Sequence, residues 1–137
     1  MELLTANTPI ITSIIILAFL LITFLQSGID KIVDWQGNLG WLKEHFSKTF
    51  MGGMVPLLLA TILIAEVITA ICCIGGMYQL LTSGAFDLAF YACLLSCITL
   101  LMLLFGQRVA KDYAGALTIT CYFIVAMFGL YLVEGLL

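Results

Sequence analysis

Glu66 lies within a stretch of the chain whose other residues are almost all apolar. The stretch runs from Val55 to Met77 and is about long enough to cross a bilayer as a helix. A charged, unpaired side chain at that depth costs roughly 3 kcal/mol on insertion scales. Glu66 is therefore expected to be protonated, paired with a cation, or turned towards protein. The sequence predicts a membrane protein with at least one polar site inside the membrane.

Four further ionisable residues lie at the ends of apolar stretches, with Asp30 and Lys31 after the first and Arg108 and Asp112 after the third. The spacing of Arg108 and Asp112 allows a salt bridge if the helix continues there. The alternative is a cross-bundle network, in which Arg108 or Lys31 faces an acid of another helix. For Glu66, two interpretations stay open. It is a proton relay or a contact for a quinone head, or it is a protonated carboxyl that is hydrogen-bonded within the core.

The elements that must position these residues are long apolar helices. The chain is 64% hydrophobic and only 9% charged, whereas a soluble domain is about half apolar and a quarter charged. Four apolar runs of about 17 to 27 residues each predict spanning helices. In lipid the backbone must satisfy its own hydrogen bonds, which a helix does within one segment. We expect an all-α membrane protein with a single transmembrane domain over residues 1–137. Its four-helix bundle is predicted at 9–27, 55–80, 85–107 and 113–135.

A shorter helix is expected between the first two membrane helices, over residues 38–50. Apolar side chains recur there at helical spacing, and Trp35 and Trp41 flank the segment. Aromatic rings beside lysine are typical of the headgroup layer. The segment is either an interfacial helix on the membrane surface or an amphipathic connector packed on the bundle.

The basic residues are distributed unevenly along the chain. All five follow the first or the third predicted helix: Lys31, Lys43, Lys48, Arg108 and Lys111. By the positive-inside rule, both of these loops are cytoplasmic and both termini lie outside.

The metal-ligating residue types do not form a recognisable ligand set. The single histidine is His45, and all five cysteines lie inside apolar runs, where they act as small packing residues with free thiols. We therefore expect no metal site and no cofactor bound by this chain alone, apart from contacts with quinone or lipid.

Three segments resemble the DoxX family of small four-helix bacterial membrane proteins. They are the first-helix ending Phe24–Lys31, the acid and glycine Glu66 and Gly75 of the second helix, and Gly106–Asp112 after the third. The resemblance covers roughly residues 20 to 115. The chain departs from the family in lacking an arginine near the start of the first helix and a cysteine in any soluble loop.

The resemblance implies a multi-pass protein of the bacterial cytoplasmic (inner) membrane that is linked to redox chemistry. It implies that Lys31, Glu66, Arg108 and Asp112 are the family-type polar positions. It favours termini inside, against the charge distribution.

The function that we expect is that of an accessory subunit in a larger redox-linked membrane complex, rather than a self-sufficient enzyme. The loops are short and the polar residues are few. Its partners are then the lipid bilayer and other membrane subunits, without nucleic acid. One alternative is a quinone-reactive oxidoreductase subunit with Glu66 and Arg108 at the quinone head. Another is a small proton-coupled transporter with Glu66 on a polar path.

Overall fold

The computed structural model describes all 137 residues, apart from the side chain of Leu4. Its elements follow one another as α1 (Glu2–Val33), α2 (Trp35–His45), a 3-10 turn (Gly52–Met54), α3 (Val55–Thr82), α4 (Asp87–Val109) and α5 (Tyr113–Glu134). The helices α1, α3, α4 and α5 are long and apolar enough to cross a membrane. The chain is therefore a multi-pass all-α membrane protein, and the predicted short helix between its first two spanning helices is present.

The first helix is longer than the predicted 9–27 at both ends. It continues through Gly28 to Val33, because Gly28 packs against Val67 and Leu63 of α3 and the packing outweighs the poor helix propensity of glycine. At the other end, Pro9 lies inside the helix rather than at its start. The boundaries of α3, α4 and α5 differ from the predicted ones by at most two residues.

The short helix α2 starts earlier and ends earlier than the predicted 38–50. Asp34 ends α1 and caps α2, since its carboxylate accepts a hydrogen bond from the Gly37 amide at 3.2 Å. Residues 46–51 are turns instead of helix. Phe46 anchors this region in an apolar cluster with Met51 and Val55.

The four spanning helices pack in the order α1, α3, α4, α5, and each neighbours the next. Gly76 lets α3 approach α4 closely, because a Cβ there would lie 3.1 Å from the backbone of Ala89. Gly84 makes the tight α3–α4 turn with φ of +69°, a conformation that glycine adopts without strain. The ring is incomplete between α5 and α1, which touch much less than the other neighbours.

Candidate functional site

The polar centre of the bundle is a cluster of three side chains from α1 and α3. The Ser27 hydroxyl donates to Glu66 Oε1 at 2.8 Å, and Lys31 Nζ donates to the same oxygen at 3.2 Å and to Ser27 Oγ at 2.6 Å. Lys31 Nζ also lies 3.1 Å from Glu66 Oε2, which has no hydrogen bond of good geometry and is held by charge alone. The hypothesis of a cross-bundle network thus holds for Lys31 and Glu66.

The carboxyl of this cluster lies deep in the membrane-spanning part of the protein, whereas Lys31 is near the end of α1. By the helical rise, Glu66 is about 17 Å from the start of α3 and about 24 Å from its end. Its side chain is 1% exposed, whereas that of Lys31 is 15% exposed. Glu66 shares the buried face of α3 with Thr69, Ala70 and Cys73, which confirms that it faces protein.

The arrangement can hold and pass a proton, but it is a poor nucleophile site. Ser27 and Lys31 are one helical turn apart, as in serine–lysine dyads, but Lys31 Nζ donates to both Ser27 Oγ and Glu66 Oε1, so it is not placed to accept the serine proton. The serine hydroxyl bridges the ammonium and the carboxylate. A proton can move along this short chain of hydrogen bonds.

Arg108 and Asp112 do not form the predicted i,i+4 pair. α4 ends at Val109, and Lys111 adopts φ of +60°, so the two side chains separate. Arg108 instead lies over the Tyr113 ring, with its guanidinium carbon 4.9 Å from the ring centroid. Asp30 is exposed at the end of α1. None of the three joins the Lys31–Glu66 cluster.

Asp112 has the same structural role as Asp34. Its carboxylate accepts from the Gly115 amide at 2.9 Å and caps α5. The sequence anticipates this equivalence, because Asp34 and Asp112 both follow a glycine by six residues and precede an aromatic residue. A second contact was not anticipated: Asp112 Oδ2 lies 3.7 Å from Nε2 of His45.

A cavity of about 550 Å³ lies beneath α2, between the ends of α3 and α4, and is here called the surface-helix cavity. Its walls are mainly apolar and aromatic, and its polar lining consists of Lys31, Asn38, His45, Thr61 and Gln107. The ring of His45 stacks on Trp41 with centroids 4.4 Å apart. The Nε2 atom of His45 is buried without a hydrogen-bond partner in the part of the chain that the structure describes.

A second space of about 950 Å³ lies between α1 and α5 and is here called the α1–α5 groove. Ser27 and Glu66 line it, whereas Lys31 lines the surface-helix cavity. The ion pair therefore separates the two spaces. Gln26 also lines the groove, and its exposed amide makes no hydrogen bond to any described residue.

The sequence patterns did not predict four of the residues at these sites: Ser27, Gln26, His45 and Gln107. Ser27 could have been found from its i,i+4 spacing to Lys31, and Gln26 from its place within a spanning helix. His45 and Gln107 gave no such signal, because only the fold of α2 onto α3 and α4 brings them together.

The cysteines and the other metal-ligating side chains do not form a metal centre. All five cysteines carry free thiols, and within the described residues no group of three His, Cys, Asp or Glu side chains could hold a metal ion. Comparison with known proteins adds no assignment: no protein-family model, no curated protein and no solved structure matches this chain.

Proposed function

We propose that this protein is a membrane subunit of a larger redox-linked assembly and that it binds the head of an isoprenoid quinone in the surface-helix cavity. The observation that carries the proposal is the cavity itself. Its volume of about 550 Å³ lies within the roughly 300–1,000 Å³ that is typical of ligand sites, and such sites combine apolar walls with a few polar groups.

The shape and position of the cavity favour a flat head on a long apolar tail. The stacked rings of Trp41 and His45 offer an aromatic surface for a quinone ring. Leu101 and Phe105 of α4 line the cavity and are about half exposed, so the tail can leave between α3 and α4 into the hydrocarbon.

The polar lining offers hydrogen bonds to quinone carbonyls. His45 Nε2, which lies 3.7 Å from Asp112 Oδ2, and the side-chain amide of Gln107 make no hydrogen bonds within the described residues, and each can donate one. Lys31 is at the cavity wall, and the longest of its three hydrogen bonds, 3.4 Å to the Ser27 carbonyl, is the one that a ligand oxygen can replace. Glu66 then holds the ammonium in place from behind.

Reduction of a quinone to a quinol takes up two electrons and two protons. The two electrons come from a redox centre of a partner subunit and the two protons from water at the membrane surface, while this chain binds the head. The redox link and the bacterial cytoplasmic membrane come from the resemblance to the DoxX family. The role of a subunit agrees with a chain whose longest connection between spanning helices is the α2 segment.

Photoaffinity labelling tests the proposal. The protein in lipid nanodiscs is irradiated with a ring-azido quinone, and the labelled peptides are mapped by mass spectrometry. We expect labelling at the lining of the surface-helix cavity that unlabelled quinone displaces and that His45→Leu and Gln107→Leu each reduce several-fold. Thr118→Val is the control, because this exposed α5 residue lines neither space. Labelling that is spread over lipid-facing positions and is not displaced would refute the proposal.

A further inference from the structure

We propose that the α1–α5 groove is a proton inlet for the surface-helix cavity, and that Ser27 passes protons from water in this groove to the Glu66–Lys31 pair. The inference rests on the proposed binding of a quinone in that cavity, and it identifies the route by which protons from surface water reach the bound head.

Lys31 needs a proton supply that does not pass through the surface-helix cavity. It lines this cavity and not the groove, and only 15% of its side chain is exposed. A quinone head in the cavity covers the ammonium, because one carbonyl oxygen of the head accepts its hydrogen bond. Once Lys31 has given a proton to the head, the replacement proton has to come from the other side of the ion pair.

The other side of the ion pair is the α1–α5 groove, which Ser27 and Glu66 line. The Glu66 side chain is 1% exposed, so water in the groove does not reach the carboxyl directly. Ser27 is half-buried, and its hydroxyl donates to Glu66 Oε1 at 2.8 Å. Ser27 is therefore the contact between the groove and the buried pair.

The groove is open to water at the end that is nearest to Ser27. Asp30 and Gln26 line it there, and both residues are exposed. Asp30 is close to the end of α1 at Val33 and about one helical turn from Ser27. An ordered water needs about two to four polar partners, and the amide, hydroxyl and carboxyl groups of these three side chains supply them. The apolar remainder of the groove, towards Phe19, suits acyl chains instead.

Each proton passes through three side chains, and their charges are restored after the transfer. A Lys31 N–H bond breaks as an O–H bond forms on the head, which leaves a neutral amine beside the Glu66 carboxylate. Water in the groove protonates the Ser27 oxygen while the Ser27 hydroxyl gives its own proton to Glu66 Oε1. This oxygen lies 3.2 Å from Lys31 Nζ and returns the proton to the amine. Two such transfers, with two electrons from the partner's redox centre, convert the quinone to the quinol.

Three substitutions isolate the step at Ser27. Ser27→Ala removes the hydroxyl but keeps the ion pair, in which Lys31 Nζ lies 3.1 Å from Glu66 Oε2. Ser27→Thr restores a hydroxyl at the same position. Thr23→Val is the matched control, because Thr23 lines the groove one turn away and its hydroxyl donates to the Phe19 carbonyl at 2.9 Å.

Proton exchange between water and the Lys31 ammonium tests the inlet without any reduction. The protein is labelled with ¹⁵Nζ-lysine, and the exposed Lys43, Lys48 and Lys111 are replaced by arginine so that one lysine signal remains. Nuclear magnetic resonance measures the exchange rate in nanodiscs with oxidised quinone bound. Ser27→Ala should lower this rate by about ten-fold or more, whereas Ser27→Thr and Thr23→Val should keep the native rate.

The rate of quinol formation is the second readout. Two molecules of a reduced viologen supply one electron each, and a pH dye reports the uptake of two protons for each quinone. Ser27→Ala should slow quinol formation and proton uptake together, again by about ten-fold or more. A native rate of exchange or of quinol formation in Ser27→Ala would overturn the proposal. So would a slower rate that Ser27→Thr does not restore or that Thr23→Val shares.

Photoaffinity labelling separates this proposal from quinone binding. Displaceable labelling of the surface-helix cavity should be the same in the native protein and in all three variants. Its loss in Ser27→Ala would show that the hydroxyl positions the head or supports the fold, and would overturn the inlet. No displaceable labelling in the native protein would overturn both proposals, whereas normal labelling with a native exchange rate in Ser27→Ala would overturn the inlet alone.

Discussion

Removal of the Lys31 ammonium should destabilise this protein more than neutralisation of Glu66. In Lys31→Met, the Glu66 carboxyl stays 1% exposed and keeps only the Ser27 hydroxyl as a hydrogen-bond donor. Removing one partner of a buried ion pair costs about 3–5 kcal/mol, because the other charge stays buried without compensation. We therefore expect the free energy of unfolding of Lys31→Met to fall by about that amount.

Glu66→Gln should cost less, about 1–2 kcal/mol, which is the size of one or two weakened hydrogen bonds. The amide still accepts from Ser27 and Lys31. Lys31 is 15% exposed near the end of α1, so its ammonium can turn to the interface once its counter-charge is gone. The double variant Lys31→Met/Glu66→Gln should be more stable than Lys31→Met alone, since it has no unpaired buried charge.

Reversible unfolding by SDS in mixed micelles, followed by far-ultraviolet circular dichroism, measures these differences. Lys43→Met is the matched control, because Lys43 is an exposed lysine of α2 and should change the stability by less than about 0.5 kcal/mol. If Lys31→Met is as stable as the native protein, or if Glu66→Gln is the more harmful change, then the pair is not a buried ion pair that Lys31 neutralises.

Three further results are expected. Gly129→Ala should lower the free energy of unfolding by about 1–3 kcal/mol in the SDS assay, because the new Cβ would lie 2.7 Å from Cγ2 of Ile16. Gly75→Ala is the control, because its Cβ would meet only Leu88 at 3.5 Å. Equal effects of the two substitutions would contradict the close α1–α5 contact. Asp112→Ala should cost about 1 kcal/mol, because α5 loses its N-cap, and an unchanged midpoint would contradict this role. A membrane-permeant maleimide should label Cys121 before the other thiols, because Cys121 is exposed and Cys73, Cys93 and Cys97 are buried. Intact mass counts the labelled thiols over time, and peptide mapping identifies them. Earlier labelling of a buried thiol would contradict the prediction.

The spanning helices could be predicted from the sequence because lipid imposes a simple rule. A backbone in hydrocarbon must bond to itself, so length and hydropathy are enough to locate α3, α4 and α5 closely. The ends of α1 could not be located in the same way. The C-terminal end depends on the position of Gly28 beside α3 and on Asp34, which ends α1 and caps α2, and these tertiary and local contacts outweigh helix propensity.

The expectation that Glu66 faces protein also followed from the sequence, since a lipid-facing carboxyl has no partner. The choice of its partner did not. Lys31 and Arg108 were equivalent candidates by position, and only the antiparallel packing of α1 on α3 brings Ser27 and Lys31 to Glu66. Arg108 was excluded by the end of α4 at Val109.

The sequence by itself therefore determined that the chain is a membrane protein, that its spanning elements are helices, and that Glu66 must find a polar environment. These properties depend on composition and on spacing along one helix. Only the tertiary structure decided which side chains meet, how α2 covers a cavity, and where α1 and α5 separate around Gln26. The physical reason is that helices in lipid associate through close packing of small residues and a few hydrogen bonds, and these depend on contacts between segments that are distant in the sequence.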